Sequence, residues 1–195
     1  MILKILLIDT DAERAEALER TLAEAGFAQI SRIAGGNDLI AAVKQMSPDL
    51  IIIDMALPDR DTLEDVRSLS TNAPRPIVMF ADKDDPDFVD EAIAAGVCSY
   101  NLSGVSAQEV KPIMASAIAL FRRYRHVETE LAAAKAQLEE RRLLERAKAI
   151  LMRDRKMTEP EAYRWLQRKA MNENLKLSRV VADFVKKEEG DERRK

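Results

Sequence analysis

The sequence predicts a doubly wound α/β domain followed by an all-helical C-terminal region. Up to about residue 120, short apolar runs of strand length alternate with amphipathic stretches of helix length. From Ala107 onward the pattern turns to unbroken helix, with apolar or small residues recurring every 3.5 positions on average. The 195-residue chain is 47% hydrophobic, enough for one ordinary core and a smaller one.

The first strand is the apolar run Leu3 to Ile8, and a helix follows through Ala15, Leu18, Leu22 and Ala23, stopping at Gly26. Ile30 to Ile33, Leu50 to Ile53, Ile77 to Phe80 and Ser99 to Leu102 supply four more strands. Helical stretches at Leu39 to Met46, Leu63 to Leu69 and Asp87 to Ala95 separate them. Continuous apolar strands alternating with helices imply a parallel sheet covered on both faces, because each crossover lays a helix against the sheet. The predicted domain is therefore a five-stranded, doubly wound parallel sheet over residues 1–121.

The seam that follows runs through Ile113, Ala117, Leu120, Tyr124, Val127, Leu131, Ala134 and Leu138 at alternating intervals of four and three. Such a stripe is too narrow for an ordinary core and needs a partner helix. A homodimer through Ala117 to Leu138 is the simplest arrangement; a fold-back onto the α/β domain is the alternative. Pro112 lies near the helix start, where it is best tolerated or where it kinks the chain. A second apolar set, Leu143, Leu144, Ala147, Ile150 and Leu151, ends at a break expected near Lys156. Thr158 and Glu161 have capping-box spacing with Pro160 in the first turn, and Ala162, Leu166 and Ala170 follow at intervals of four. Asn172 to Asn174 makes the next turn, and a last helix from about Ser178 carries Val181, Phe184 and Val185. Lys186 to Lys195 reads as a charged, frayed tail. The expected division is an α/β domain over 1–121, a coiled-coil linker over 122–140, a three-helix bundle over 141–187 and a tail over 188–195.

Charge divides along the same line. Residues 1–121 hold 10 Lys/Arg against 20 Asp/Glu, and residues 122–195 hold 21 against 14, so an acidic half precedes a basic one within a net charge of −3. That asymmetry suits a regulatory module joined to a polyanion-binding effector, although a solvated charged surface would look similar. The longest apolar runs are far short of a membrane span, and no signal segment opens the chain, which predicts a cytoplasmic protein without membrane association. Cys98 stands alone, so an internal disulfide or cysteine cluster is excluded, and its apolar neighbours suggest a packed thiol.

Asp9 after the first strand, Asp54 at the end of the third in PDLIIIDMALPDRDTLE, and Tyr100 in the fifth all fall at strand C-termini, the edge where ligands gather in doubly wound sheets. These residues resemble the response regulator receivers, which implies a flavodoxin-like order of the five strands. The resemblance implies Asp54 as a phosphoacceptor, a Mg ion held by Asp9, Asp54 and Asp11, and Tyr100 as the switch aromatic. The chain also departs from the receiver pattern. Thr10 stands at the second acidic position, Ala81 where a switch hydroxyl is expected, and Ser103 with Gly104 where lysine and proline are expected. Those departures weaken phosphoryl chemistry, so no cofactor is required and Mg binding is in question.

The segment ERRLLERAKAILMRDRKMTEPEAYRWLQRKAMNENLKLSRVVADF resembles the ANTAR family, the RNA-binding output domain of transcription antiterminators. Its pattern of small and apolar core residues corresponds to Ala147, Ile150, Leu151, Met152, Ala162, Tyr163, Leu166 and Ala170. Candidate RNA contacts are the cations between them: Arg146, Lys148, Arg153, Arg155 and Lys156 on the first helix, and Arg164, Arg168 and Lys169 on the second. Trp165 is a candidate for stacking on unpaired bases, with core packing an even alternative; for Tyr163 the core reading is favoured. Any single cation could equally be a solvated charge or an i, i+4 partner of a glutamate.

The order receiver, long helix, ANTAR is similar to the NasT-like antiterminators of the nitrate/nitrite response. This implies a dimer that binds stem-loops in a leader transcript, and a sensor protein that sequesters it until the signal arrives. The rival reading is a phosphorylation-dependent, DNA-binding response regulator, disfavoured because no helix-turn-helix with an exposed recognition helix is evident. An enzyme is disfavoured too: lone His126 lies in the heptad stretch, and neither a nucleophile–base pair nor a glycine-rich phosphate loop is present.

Overall fold

The computed structural model describes residues 3–34, 39–83 and 85–192, and the chain divides into two compact units, residues 1–125 and 126–195. In the first unit the chain order is β1 (Lys4–Ile8), α1 (Ala12–Glu24), β2 (Gln29–Ile33), α2 (Leu39–Met46), β3 (Leu50–Met55), α3 (Arg60–Asn72), β4 (Ile77–Ala81), α4 (Pro86–Ala95) and β5 (Ser99–Leu102). All strand pairings are parallel, in the order β2-β1-β3-β4-β5. This is the doubly wound parallel sheet that the alternation of apolar runs and amphipathic helices predicts, in the flavodoxin-like order that the receiver resemblance implies.

β3 and β4 are apolar on both faces because both faces are covered. On one face Ile51, Ile53 and Met79 pack with Leu63, Val66 and Leu69 of α3 and Ala92 of α4. On the other, Ile5, Leu7, Ile52 and Phe80 meet Ala15, Leu18 and Leu22 of α1. Aspartates start the helices: Asp11, Asp59 and Asp85 cap α1, α3 and α4 with their carboxylates. Gly96 ends α4 at φ +115°, where an added Cβ would lie 2.1 Å from Ser70 Oγ, so both backbone and space demand glycine. Cys98 is half-buried beside the second face, and burial pushes its thiol up, as expected for a packing residue.

Helix α5 (Ala107–Arg155) runs unbroken through Pro112. Its start belongs to the first unit, with Val110, Met114 and Ala117 buried against α1 and the sheet. This corrects the expected seam: Ala117 is 1% exposed in the core of the α/β unit and is not available to a partner helix. The stripe is open from Leu120 onward, where Leu120, Tyr124, Val127, Leu131 and Leu138 are 44–62% exposed and Ala134 is exposed as well.

In the second unit the C-terminal turns of α5 pack with α6 (Glu159–Glu173) and α7 (Leu177–Glu192). Lys156 takes a left-handed φ of +56° to end α5. The Thr158 N–H and hydroxyl then donate to Glu161 Oε2 at 2.8 and 2.7 Å, starting α6 at the expected box. Asn174 ends α6, also left-handed. The core is Ala147, Leu151, Ala162, Leu166, Val181, Phe184 and Val185. Two expected core residues are corrected: Met152 is 42% exposed and Tyr163 38%. Each directly follows a residue of the inner row, and one step around a helix is about 100°, which turns it out of the interface. A third correction concerns the tail, for helix α7 continues to Glu192 through the stretch expected to fray. Residues 193–195 of that tail lie outside the described residues.

Candidate functional site: an acidic pocket and a basic helical surface

In a 2-1-3-4-5 sheet the chain winds in opposite directions from β1 and β3, leaving a crevice beyond their C-terminal ends. Asp9 follows β1 and Asp54 is the next-to-last residue of β3; each is 3% exposed. Asp82 follows β4 and Ser103 follows β5. The sheet thus gathers three carboxylates and a hydroxyl from four parallel strands.

Arg14, in the first turn of α1, reaches into this group. Its Nε and Nη2 donate to Asp9 Oδ2 and Oδ1 at 3.2 and 3.3 Å, a two-pronged pairing. Nε also stands 3.7 Å from Asp54 Oδ1, and Nη2 lies 3.5 Å from the Asp54 carbonyl oxygen. Nη1 is 3.8 Å from Asp82 Oδ1. Ser103 Oγ donates to Asp54 Oδ1 at 3.3 Å. Burial raises the Asp54 carboxyl to about pH 6 against its ordinary 3.8; Arg14 opposes the shift, Asp9 adds to it, the Ser103 hydrogen bond opposes it and Asp82 adds again.

Of the residues singled out in the sequence, Asp9 and Asp54 are brought together. Asp11 is not: its carboxylate caps α1, accepting from the Glu13 and Arg14 N–H groups at 2.9 and 3.2 Å. Thr10 is exposed. The Tyr100 hydroxyl donates to the Lys83 carbonyl at 2.9 Å, and its ring packs on Phe88 at 6.1 Å; Ala81, fully buried, offers it no hydroxyl. Sequence reasoning missed Arg14 and Asp82. The only sequence signal was an arginine one turn after a capping aspartate, and its contact with Asp54 spans 40 residues.

On the second unit Arg146, Arg153, Arg155, Lys156, Arg164 and Arg168 are all exposed. Arg153 pairs with Asp154 at 2.6 Å, and Arg164 Nε donates to the Pro160 carbonyl at 3.2 Å. Lys148 lies elsewhere, 8% exposed, with its ammonium held by Glu145 at 2.8 Å and Glu159 at 2.6 Å, so it fastens α5 to the start of α6. Lys169 is tied to Glu173. Trp165 is half-buried, its ring packed on Phe184 at 5.6 Å with the Arg155 guanidinium 4.4 Å from its centroid. Tyr163, which the sequence assigned inward, is the aromatic ring on the outside.

The response regulator receiver domain matches residues 5–110, and the ANTAR domain matches residues 132–185. The chain belongs to the response regulators that pair a receiver with an ANTAR domain. It is 30% identical to the transcriptional regulatory protein PdtaR of Mycobacterium tuberculosis (strain ATCC 25618 / H37Rv) over 91% of this chain and 87% of that one. The DNA-binding response regulator MtrA of Mycobacterium leprae is 31% identical over 55% of this chain and 47% of its own. Among solved structures, the receiver domain of a diguanylate cyclase from Desulfovibrio desulfuricans G20 superposes with a TM-score of 0.55 at 18% identity, covering 64% of this chain and 99% of that one. A response regulator from Thermotoga maritima gives 0.54 at 14%, covering 61% and 99%; both share the fold. The protein is thus a non-enzymatic regulator with an RNA-binding output domain, and no described helix is long and apolar enough to cross a membrane.

Receiver domains can hold Mg at their acidic site. The residues present here do not fit the ion, because a guanidinium stands among Asp9, Asp54 and Asp82 and the Asp11 carboxylate is spent on the helix cap. Among the described residues no group of three or more His, Cys, Asp or Glu is placed to hold a metal.

The folded value of Asp54 lies above its unfolded one, so the ionised carboxylate costs stability above pH 6, and the cost is relieved as pH falls from 6 toward 3.8. Asp54→Asn is expected to stabilise the receiver unit by about 2–3 kcal/mol at pH 8, and by progressively less toward pH 4.5. Denaturant titrations of both proteins at the two pH values measure this; a difference independent of pH would contradict it.

Proposed function

We propose that the protein is a transcription antiterminator that binds stem-loops in a leader transcript as a homodimer, keeping the RNA from forming a terminator. The observation that carries this reading is the ANTAR match over residues 132–185, on a three-helix unit whose small apolar residues turn inward while Arg146, Arg153, Arg155, Lys156, Arg164 and Arg168 remain outside. Cations on a compact helical surface suit phosphates, and Tyr163 offers an exposed ring to an unpaired base. The NasT-like order of parts supports nitrate/nitrite assimilation genes as the regulated set.

RNA binding is expected to weaken steeply with salt, because each phosphate contact releases condensed counterions. Lys156→Asn with Arg164→Gln and Arg168→Gln should reduce the slope of log K against log salt by about 2; asparagine suits the left-handed backbone at 156. Electrophoretic titrations of the leader hairpins, with matching duplex DNA as competitor, provide the measurement. Preferential binding to the duplex would favour the DNA-binding alternative, which draws on the partial similarity to MtrA.

The homodimer reading rests on the exposed stripe Leu120, Tyr124, Val127, Leu131, Ala134 and Leu138, whose period suits a coiled coil. Leu131→Glu with Leu138→Glu is expected to halve the sedimenting mass and to lower affinity for a paired hairpin at least tenfold. Unchanged mass in a folded variant would move the interface elsewhere.

Control comes from a sensor or sequestering protein that binds the free receiver or long helix and hides the RNA-binding surface, rather than from phosphorylation of Asp54. Ala81 and Ser103 remove two partners of a phosphoryl group, and Tyr100 is bonded to main chain. Leader-dependent readthrough in cells should respond equally to inducer in wild type and Asp54→Asn. Loss of induction in stably expressed Asp54→Asn would restore the phosphoryl switch.

A further inference from the structure

We propose that Arg14 is the resident cation of the acidic pocket: its guanidinium takes the place a divalent ion would fill, so this receiver is electrostatically complete without metal and excludes the ion.

Asp9 and Asp54 are each 3% exposed, and two carboxylates removed from water at neighbouring strand ends need a positive charge between them. Arg14 supplies it with a geometry a point charge lacks. The fork formed by Nε and Nη2 engages both oxygens of Asp9, the same two nitrogens stand against the Asp54 carboxylate and carbonyl, and Nη1 turns to Asp82. A Mg ion requires oxygen ligands near 2.0–2.1 Å in an octahedron and could not share that space with a planar cation.

The oxygen donors point the same way. Thr10 carries no carboxylate and is exposed. Asp11 is engaged at the N-terminus of α1, where its carboxylate accepts from the Arg14 N–H itself. The cap that turns Asp11 away from the pocket therefore also fixes the backbone from which Arg14 reaches in. Side-chain exposure of Arg14 is only 20%, so the guanidinium belongs to the pocket wall.

The test compares four full-length proteins: wild type, Arg14→Gln, Thr10→Asp, and Thr10→Asp with Arg14→Gln. Mn(II) binding is read by electron paramagnetic resonance and Mg binding by calorimetry, with circular dichroism to establish folding and Arg14→Ala as a second removal in the Thr10→Asp background. Wild type and Thr10→Asp are expected to show no saturable site below 5 mM, whereas the double variant should bind one ion per chain at least tenfold more tightly than Thr10→Asp. Addition of Mg should raise the melting temperature of the double variant and leave that of wild type unchanged. Two results would overturn the proposal. One is a wild-type site with Kd below 1 mM that Asp9→Asn abolishes. The other is equal affinity of Thr10→Asp with and without Arg14, which would mean that the guanidinium excludes nothing.

Discussion

A single helix contributes to a hydrophobic core in each of the two units, and much else follows from that shared use. The first turns of α5 give Val110, Met114 and Ala117 to the face of the sheet covered by α1, and its last turns give Ala147 and Leu151 to the ANTAR bundle. Neither set can be removed without opening a cavity in its unit, and burial of such side chains is the dominant favourable contribution to folding. Between the two sets the same helix carries a stripe that neither core covers. Continuity of backbone, rather than a loop, connects the regulatory and output units.

The receiver unit combines a common scaffold with an unusual charge arrangement. Parallel strands end their apolar runs at one edge, so residues at or just beyond the C-terminal ends of β1, β3, β4 and β5 converge whatever their chemistry. Here they are Asp9, Asp54, Asp82 and Ser103, and the neutralising charge comes from a side chain of the first helix. Burial of Asp54 outweighs the pull of Arg14 on its proton, which leaves the carboxyl at about 6. A pocket held by a covalently attached cation has fewer states to move between than one that exchanges an ion, and this supports the proposal that control is exerted through surfaces rather than through chemistry at Asp54.

In the ANTAR unit the division between core and surface is made by single helical steps. Ala162, Leu166 and Ala170 form the inward row of α6, and the two alanines suit its close approach to α7. Trp165, beside that row, is drawn against Phe184 and roofed by Arg155, while Tyr163 is turned outward. Lys148 illustrates how charge alone misleads: a basic residue in a basic helix, yet buried and bound between Glu145 and Glu159. The acidic half and basic half of the sequence remain a sound guide to which unit meets a polyanion.

The sequence by itself determined the succession of strands and helices, the parallel sheet, the long helix, the capping box at Thr158 and Glu161, and the convergence of Asp9 with Asp54. These features depend on local periodicity and on topological rules that hold for any α/β chain. Only the tertiary structure decided that Ala117 belongs to a core, that Asp11 is a cap, that Trp165 packs while Tyr163 faces out, and that Lys148 is a brace. It alone brought Arg14 to Asp54 and Asp82. The physical reason is that each of these depends on the direction of a side chain and on partners far away in sequence: Ala117 is small enough to suit either a seam or a core, and the reach of Arg14 across 40 residues leaves no periodic trace in the chain.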